Sequence, residues 1–216
     1  VSFGSVANMS SDRLRVHHTA ACIFKKCGEG CKFCDIMMGK EHICQEDVYE
    51  VIDFYLNNTE FVHFLVGGQS ESAQKEYGHI IDTVQYIRER SDKKIYIMCL
   101  PPEDVKVIER MYEAGATEIA FNIEVFDRSF ARAVMPGKGK IPLEQYMNAL
   151  EYAVGLFGRN GEVRSLLLAG LEKDEVFFEG IESLARKHIQ PILSAFRPLP
   201  DTEMCDVIQP SNEKLI

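Results

Sequence analysis

The sequence predicts an α/β fold of six repeating strand–helix units around a parallel sheet, on three observations. Short β-rich runs alternate with amphipathic helical patterns along the chain. Most of those runs are continuously apolar, as in parallel strands buried on both faces. No linker rich in Gly, Pro or Ser and no low-complexity stretch interrupts the alternation. Repeated units of this kind imply right-handed crossovers. Periodicity does not choose between an open doubly wound sheet and a barrel. In either case active residues sit at the C-terminal ends of strands.

The first strand is read over Arg15–Phe24, followed by a cysteine-bearing loop and a weaker helix at Glu46–Tyr55. The second, Phe61–Val66, precedes a helix carrying Ile80, Ile81, Val84 and Ile87 at helical spacing. The third, Lys94–Leu100, leads into a helix opened by Pro101, Pro102, Glu103 and Asp104. That helix carries Val105, Ile108, Met111 and Tyr112 and ends at Gly115. The fourth strand is Glu118–Ile123, and its helix carries Leu143, Tyr146, Met147, Leu150 and Val154 before closing near Gly158. The fifth, Val163–Ala169, precedes a helix with Val176, Phe177, Ile181, Leu184 and Ala185; the sixth strand is Pro191–Phe196. Proline or acids at helix starts and glycine at helix ends agree with capping and dipole preferences.

At 216 residues and 46% hydrophobic content, the chain is read as a single domain over 1–216. A net charge of −9 and the lack of a long Lys/Arg cluster argue against a nucleic-acid partner. The longest apolar runs, such as Leu166–Gly170, are too short to span a bilayer. No charged-then-apolar signal segment opens the chain, so the expected compartment is the cytoplasm. The chain starts at Val1 without Met and stops where Ser211–Ile216 begins to read as a helix start. The expectation is of trimmed ends, with a C-terminal segment missing.

Seven cysteines is an odd count for a disulfide framework, and three of them crowd into eight residues. They read Cys27-Gly-Glu-Gly-Cys31-Lys-Phe-Cys34, in a glycine-rich loop after the first strand. Thiolates are soft ligands suited to zinc or iron–sulfur clusters. Structural zinc normally takes four ligands. Here Cys44, the nearest fourth sulfur, lies ten residues beyond Cys34. Three thiolates on a cubane leave one iron free to chelate a ligand.

The CxxxCxΦC spacing, with Phe33 at the aromatic position, resembles the radical S-adenosylmethionine (SAM) superfamily. The resemblance runs from about Val16 to Thr202 and is nearest to the biotin synthase-like branch, with its hydrogenase-maturase and methylornithine-synthase types. It implies a partial (βα)6 TIM-type barrel with parallel strands, a 4Fe–4S cluster on Cys27, Cys31 and Cys34, and bound SAM. It further implies reductive SAM cleavage to a 5′-deoxyadenosyl radical that abstracts hydrogen from a small-molecule or carrier-bound substrate. An electron donor such as ferredoxin or flavodoxin is then needed.

Further motifs follow in family order, each at a strand end. Gly67-Gly68-Gln69 resembles the GGE motif that holds the SAM amino group, with Gln for Glu. On its own it also reads as an ordinary turn. Asn122 and Glu124 stand where relatives bind the ribose hydroxyls, although Glu124 also suits a cap for the helix near Asp127. Lys138 or Lys140 stands where relatives hold the SAM carboxylate; either also fits a solvated loop. Ser165–Glu172 resembles GxIxGxxE, with Ser165 and Ala169 for the glycines, or else a buried strand meeting a helix start. Phe196–Thr202, with Arg197, resembles the loop whose backbone meets adenine.

The resemblance leaves the substrate unnamed. Ile97 and Val163 fall where biotin synthase adds cysteines on inner strand positions, which argues against that activity; Cys99 is placed to face inward. Free Cys22, Cys44, Cys99 and Cys205 form no compact motif. His17 and His18, read on the first strand, and His63 on the second are candidate substrate contacts or hydrogen-bonded core residues. Reactions in view are sulfur insertion, rearrangement and a carbon–carbon bond change. Two other classes compete: a non-catalytic iron–sulfur or zinc scaffold, and an aldolase-type barrel, for which no lysine is placed inside a strand.

Overall fold

The structure is a computed structural model that describes residues 3–19, 21–36, 43–68, 70 and 73–208. Its sheet has seven strands in chain order: β1 (Ala7–Ser10), β2 (Arg13–Val16), β3 (His63–Gly67), β4 (Lys94–Met98), β5 (Glu118–Ala120), β6 (Val163–Ala169) and β7 (Gln190–Ala195). From β2 to β7 every neighbouring pair is parallel. Among the described residues β1 and β7 do not pair, so the sheet is an open, partial barrel. No helix in the described residues is long and apolar enough to cross a membrane.

Two expectations need correction at the start of the chain. The first parallel strand covers Arg13–Val16, not Arg15–Phe24, and it follows an antiparallel partner that the pattern did not predict. Ser11, at φ 57°, turns the hairpin, and the His17 N–H closes it on the Val6 carbonyl at 2.7 Å. Beyond this point the Thr19 hydroxyl bonds both the N–H and the C=O of Ala21. Ile23–Lys26 then forms a short helix, α2, the counterpart of α1 (Phe3–Val6) ahead of the hairpin.

Helices pack on one face of the sheet. They are α3 (Gln45–Asn58), α4 (Ala73–Arg88), α5 (Lys106–Glu113), α7 (Leu143–Phe157) and α8 (Asp174–Arg186). Strand alternation sends Phe64, Val66, Ile95, Ile97, Ile119, Val163 and Leu167 into the core with Ile80, Ile108, Tyr146 and Leu184. The concave face carries Leu65, Tyr96, Ala120 and Met98 instead. This alternation corrects three inward assignments. Ile97 and Val163 lie in the helix-side core, and Cys99 packs against it. His63 begins β3 and senses Arg13, Glu118 and Arg164, at the end of the sheet opposite the strand C-termini.

The fourth predicted strand, Glu118–Ile123, is cut to Glu118–Ala120. The Ser165 hydroxyl inserts here, donating to the Phe121 carbonyl at 2.8 Å and accepting from the Ile123 N–H at 3.1 Å. The chain rejoins the sheet at Glu124, which bridges Leu167.

Candidate functional site

The cysteine loop is pinned at both ends. Cys22 precedes α2 and Cys27 caps its C-terminus. Gly28, at φ 73°, gives the left-handed step that lets its N–H reach the Lys25 carbonyl at 3.1 Å. Lys25 Nζ donates to the Ile36 carbonyl at 2.7 Å, strapping the loop across its base. Lys32 N–H bonds the Val134 carbonyl, and Gly137 N–H bonds that of Glu29. The loop is thereby docked on α6 (Arg128–Val134) and the segment after it. Cys31 and Phe33 pack against Val125, Val134, Met135 and Phe196.

Cys27 is exposed, while Cys31 and Cys34 are half-buried. Burial pushes the Cys31 thiol up to about 12, with Glu124, Cys34 and Cys22 acting in the same direction and Lys138 against it. Burial also raises Cys34. Among the described residues no three His, Cys, Asp or Glu side chains are gathered around a metal position. The donor set is nonetheless chemically right for a cluster: three free thiols on one anchored loop are soft ligands, and Glu29, the carboxylate between the first two, is paired with Lys140.

The second component is the glycine turn ending β3. Gly67 has φ 111°, and a Cβ there would sit 2.1 Å from the Met98 carbonyl oxygen. Gly68 N–H bonds that same oxygen at 3.1 Å. Among the described residues a Cβ on Gly68 would meet only His17 Nδ1 within 4 Å, at 3.9 Å. Gly67 therefore answers a close backbone approach, which Gly68 does not make with any described residue. Gln69 lies outside the described residues. His17, beyond the end of β2, sits beneath this turn, and burial lowers its pKa. His18 is buried beside it and pushed down to about 3 by burial, with His79 and His17 adding to the effect.

The glycine turn is tied to the cysteine loop through Ser70. The Ser70 carbonyl accepts from Ile23 N–H at 2.7 Å, and its hydroxyl donates to the Glu76 carboxylate. Glu76 is buried, which pushes its pKa up to about 7. The next residue, Tyr77, donates to the Leu100 carbonyl at 3.2 Å, securing the end of β4.

The third component follows β5. Asn122 spends its amide on neighbouring strands, donating to Met98 Sδ at 3.0 Å and accepting from Leu166 N–H at 3.2 Å. Glu124 adopts φ 65°, and one carboxylate oxygen pairs with Lys138 Nζ at 2.9 Å. The other, Oε2, is buried without a hydrogen-bond partner among the described residues. Burial opposes the Lys138 charge, but Glu124, Tyr146 and Cys31 outweigh it and leave the pKa raised. Arg128 holds this segment by donating to the carbonyls of Val125, Gly139 and Ile141 at 3.0, 3.2 and 2.8 Å.

The two lysines thus part company. Lys138 is enclosed with Glu124, whereas the exposed Lys140 pairs with Glu29 of the cysteine loop. Asp127, not Glu124, caps α6, accepting from the N–H groups of Ser129 and Phe130. Glu172 supports that cap by accepting from Phe126 and Asp127 N–H. Ala169 ends β6 in a buried position, and Arg197 is exposed after Phe196. Glu76, Arg128 and Tyr146 were not singled out as functional from sequence. Each sits in an ordinary helical pattern, and only its burial and partners set it apart.

Comparison with known proteins bears on this arrangement. The bacteriochlorophyllide c C-7(1)-hydroxylase of Chlorobaculum limnaeum is 24% identical over 240 residues, covering 98% of this chain and 59% of the relative. The chain therefore spans about three fifths of that relative's length. Methylornithine synthase superposes with a TM-score of 0.70 at 17% identity, over 93% of this chain and 58% of the other. Coproporphyrinogen III oxidase from Escherichia coli gives 0.60 at 17%, over 93% and 48%. A radical SAM methyltransferase from Sphaerobacter thermophilus gives 0.65 at 17%, over 97% and 63%. These structures share the partial barrel. The profile of the Radical SAM superfamily matches residues 22–184, three quarters of the chain and all three components of the site, and the chain belongs to that superfamily, whose members use a 4Fe–4S cluster and SAM.

Proposed function

We propose that this chain is the core of an enzyme that cleaves SAM reductively and uses the 5′-deoxyadenosyl radical to remove a hydrogen atom from a small-molecule substrate. One observation carries the reading. The cysteine loop, the glycine turn and the Glu124–Lys138 pair all lie at the C-terminal ends of parallel strands, and Cys31 senses both charges of that pair. When bound, the cluster supplies one electron and an iron without a protein ligand.

Cys27, Cys31 and Cys34 are the residues that hold the cluster, with Phe33 shielding it from the side of α6. The backbone at Gly67–Gly68 receives the SAM amino group, and the motif resemblance adds Gln69 to it. Glu124 Oε2, an unmet acceptor, takes the ribose hydroxyls. Lys138 is better placed than Lys140 for the carboxylate, because it stands beside Glu124 and Cys31. Ala169 and Arg197 offer backbone to adenine. Asn122 acts by fixing β5 to its neighbours.

Oxygen and sulfur insertion both begin with this hydrogen removal, and the hydroxylase relative supports an insertion reaction at carbon. Ferredoxin or flavodoxin is the class of donor required. The test is anaerobic reconstitution, iron and zinc analysis, reduction, and chromatography for 5′-deoxyadenosine. Release of 5′-deoxyadenosine supports the reading. A fully iron-loaded protein that never cleaves SAM overturns it in favour of a scaffold.

A further inference from the structure

Two buried polar atoms near Lys138 have no hydrogen-bond partner among the described residues: Glu124 Oε2 and the Tyr146 hydroxyl. Tyr146 stands in the first turn of α7 and is 0% exposed. Its leading charged neighbours are Lys138, Glu124 and Arg128, followed by Cys31. Arg128 also lies over its ring, 5.6 Å from the centroid. A buried hydroxyl without a partner forfeits about 1–3 kcal/mol of hydration. An apolar helix position facing a core would be filled more favourably by Phe. The hydroxyl is therefore unexplained by packing, and it stands beside a buried ammonium that retains donors beyond its ion pair.

We infer that Tyr146 is a further ligand-binding residue, its hydroxyl donating, together with the Lys138 ammonium, to the carboxylate of bound SAM. The chemistry of the three groups is consistent with this division. Lys138 and Tyr146 supply donors, which suit a carboxylate, while Glu124 Oε2 supplies only an acceptor and suits hydroxyls. The inference rests on the SAM-binding reading above.

Tyr146→Phe keeps the ring and removes only the oxygen. Affinities of anaerobically reconstituted protein for SAM and for decarboxylated SAM are measured by equilibrium dialysis, beside melting temperatures without ligand. Loss of a hydrogen bond to a charged group predicts about tenfold weaker SAM binding. Affinity for the decarboxylated analogue stays within about twofold, and the unliganded melting temperature is unchanged or higher. Unchanged SAM affinity overturns the inference, because the hydroxyl is then satisfied by water. Equal losses for both ligands, or a lowered unliganded melting temperature, also overturn it in favour of a structural role. Failure of the wild-type protein to bind SAM is a different result: it removes the underlying reading, and the inference with it.

Discussion

Replacing Glu76 by Gln isolates the energetic effect of one buried charge. Glu76 is 4% exposed and accepts from the Ser70 hydroxyl; burial pushes its carboxyl up to about 7 from 4.5. Lys138 is the cation that faces it, and Cys99 and Tyr77 are its other titratable neighbours. An acid whose pKa is raised on folding holds its proton more tightly in the folded state. Its contribution is therefore fully favourable below about 4.5 and is lost as pH rises through about 7. At about 1.4 kcal/mol per pKa unit, the ionised carboxylate costs about 3 kcal/mol at pH 8. Glutamine keeps the shape and the hydrogen bonds without ionising. In a chain of this size 1 kcal/mol moves the melting temperature by about 2–4 °C. Glu76→Gln should then melt about 6–12 °C above wild type at pH 8, with the gap closing towards about pH 5. Scanning calorimetry of anaerobically prepared protein across this range reads the difference, in which all other titrations cancel. A gap that does not change with pH, or a wild type more stable at pH 8, refutes the reasoning.

Other perturbations test other parts of the site. Cys27→Ala, Cys31→Ala and Cys34→Ala should each lose cluster iron by elemental analysis and release no 5′-deoxyadenosine; turnover retained in any one removes that ligand from the set. Gly67→Ala and Gly68→Ala both force a side chain into a left-handed backbone, but only the first meets the Met98 carbonyl at 2.1 Å. Gly67→Ala should therefore melt several degrees below Gly68→Ala, and equal melting temperatures contradict the close approach. Ser165→Ala strips partners from the Phe121 carbonyl and the Ile123 N–H and should cost about 2 kcal/mol by urea unfolding. A loss below about 0.5 kcal/mol means that water replaces the hydroxyl.

Legibility in the sequence followed the range of the interactions. β3, β4 and β6 were readable because strands covered by helices need apolar residues in near-continuous runs. The cysteine triplet was readable because its geometry is set by eight consecutive residues. The β1–β2 hairpin was not, since its strands are four residues each and carry Asn8, Arg13 and Arg15 among their apolar positions. The overlong first strand had a local cause: Thr19 turns the chain with its own side chain, which an apolar count does not register. Glu124 and Lys138 were each noticed, but in separate motifs and for separate roles. Their pairing depends on Arg128 folding the intervening segment back, a contact made through three backbone carbonyls that carry no side-chain signature.

The departure at Ser165 bears on how that pairing arises. A serine hydroxyl can bond backbone groups that a glycine leaves unmet. Here the Ser165 hydroxyl of β6 takes the Phe121 carbonyl and the Ile123 N–H, while the Phe121 N–H keeps its direct bond to the Arg164 carbonyl at 3.3 Å. Regular pairing therefore ends at Ala120 and Arg164 and resumes at Glu124, whose N–H and C=O bond Leu166 and Leu168 at 2.7 and 2.8 Å. The residue that resumes it sits at φ 65°, an orientation that non-glycine residues adopt at a cost of about 1–3 kcal/mol. That cost is met where the side chain gains a buried ion pair with Lys138 and keeps an acceptor free beside Cys31. The strained residue and the hydroxyl that permits it form one device, which directs a carboxylate from the end of β5 towards the cysteine loop.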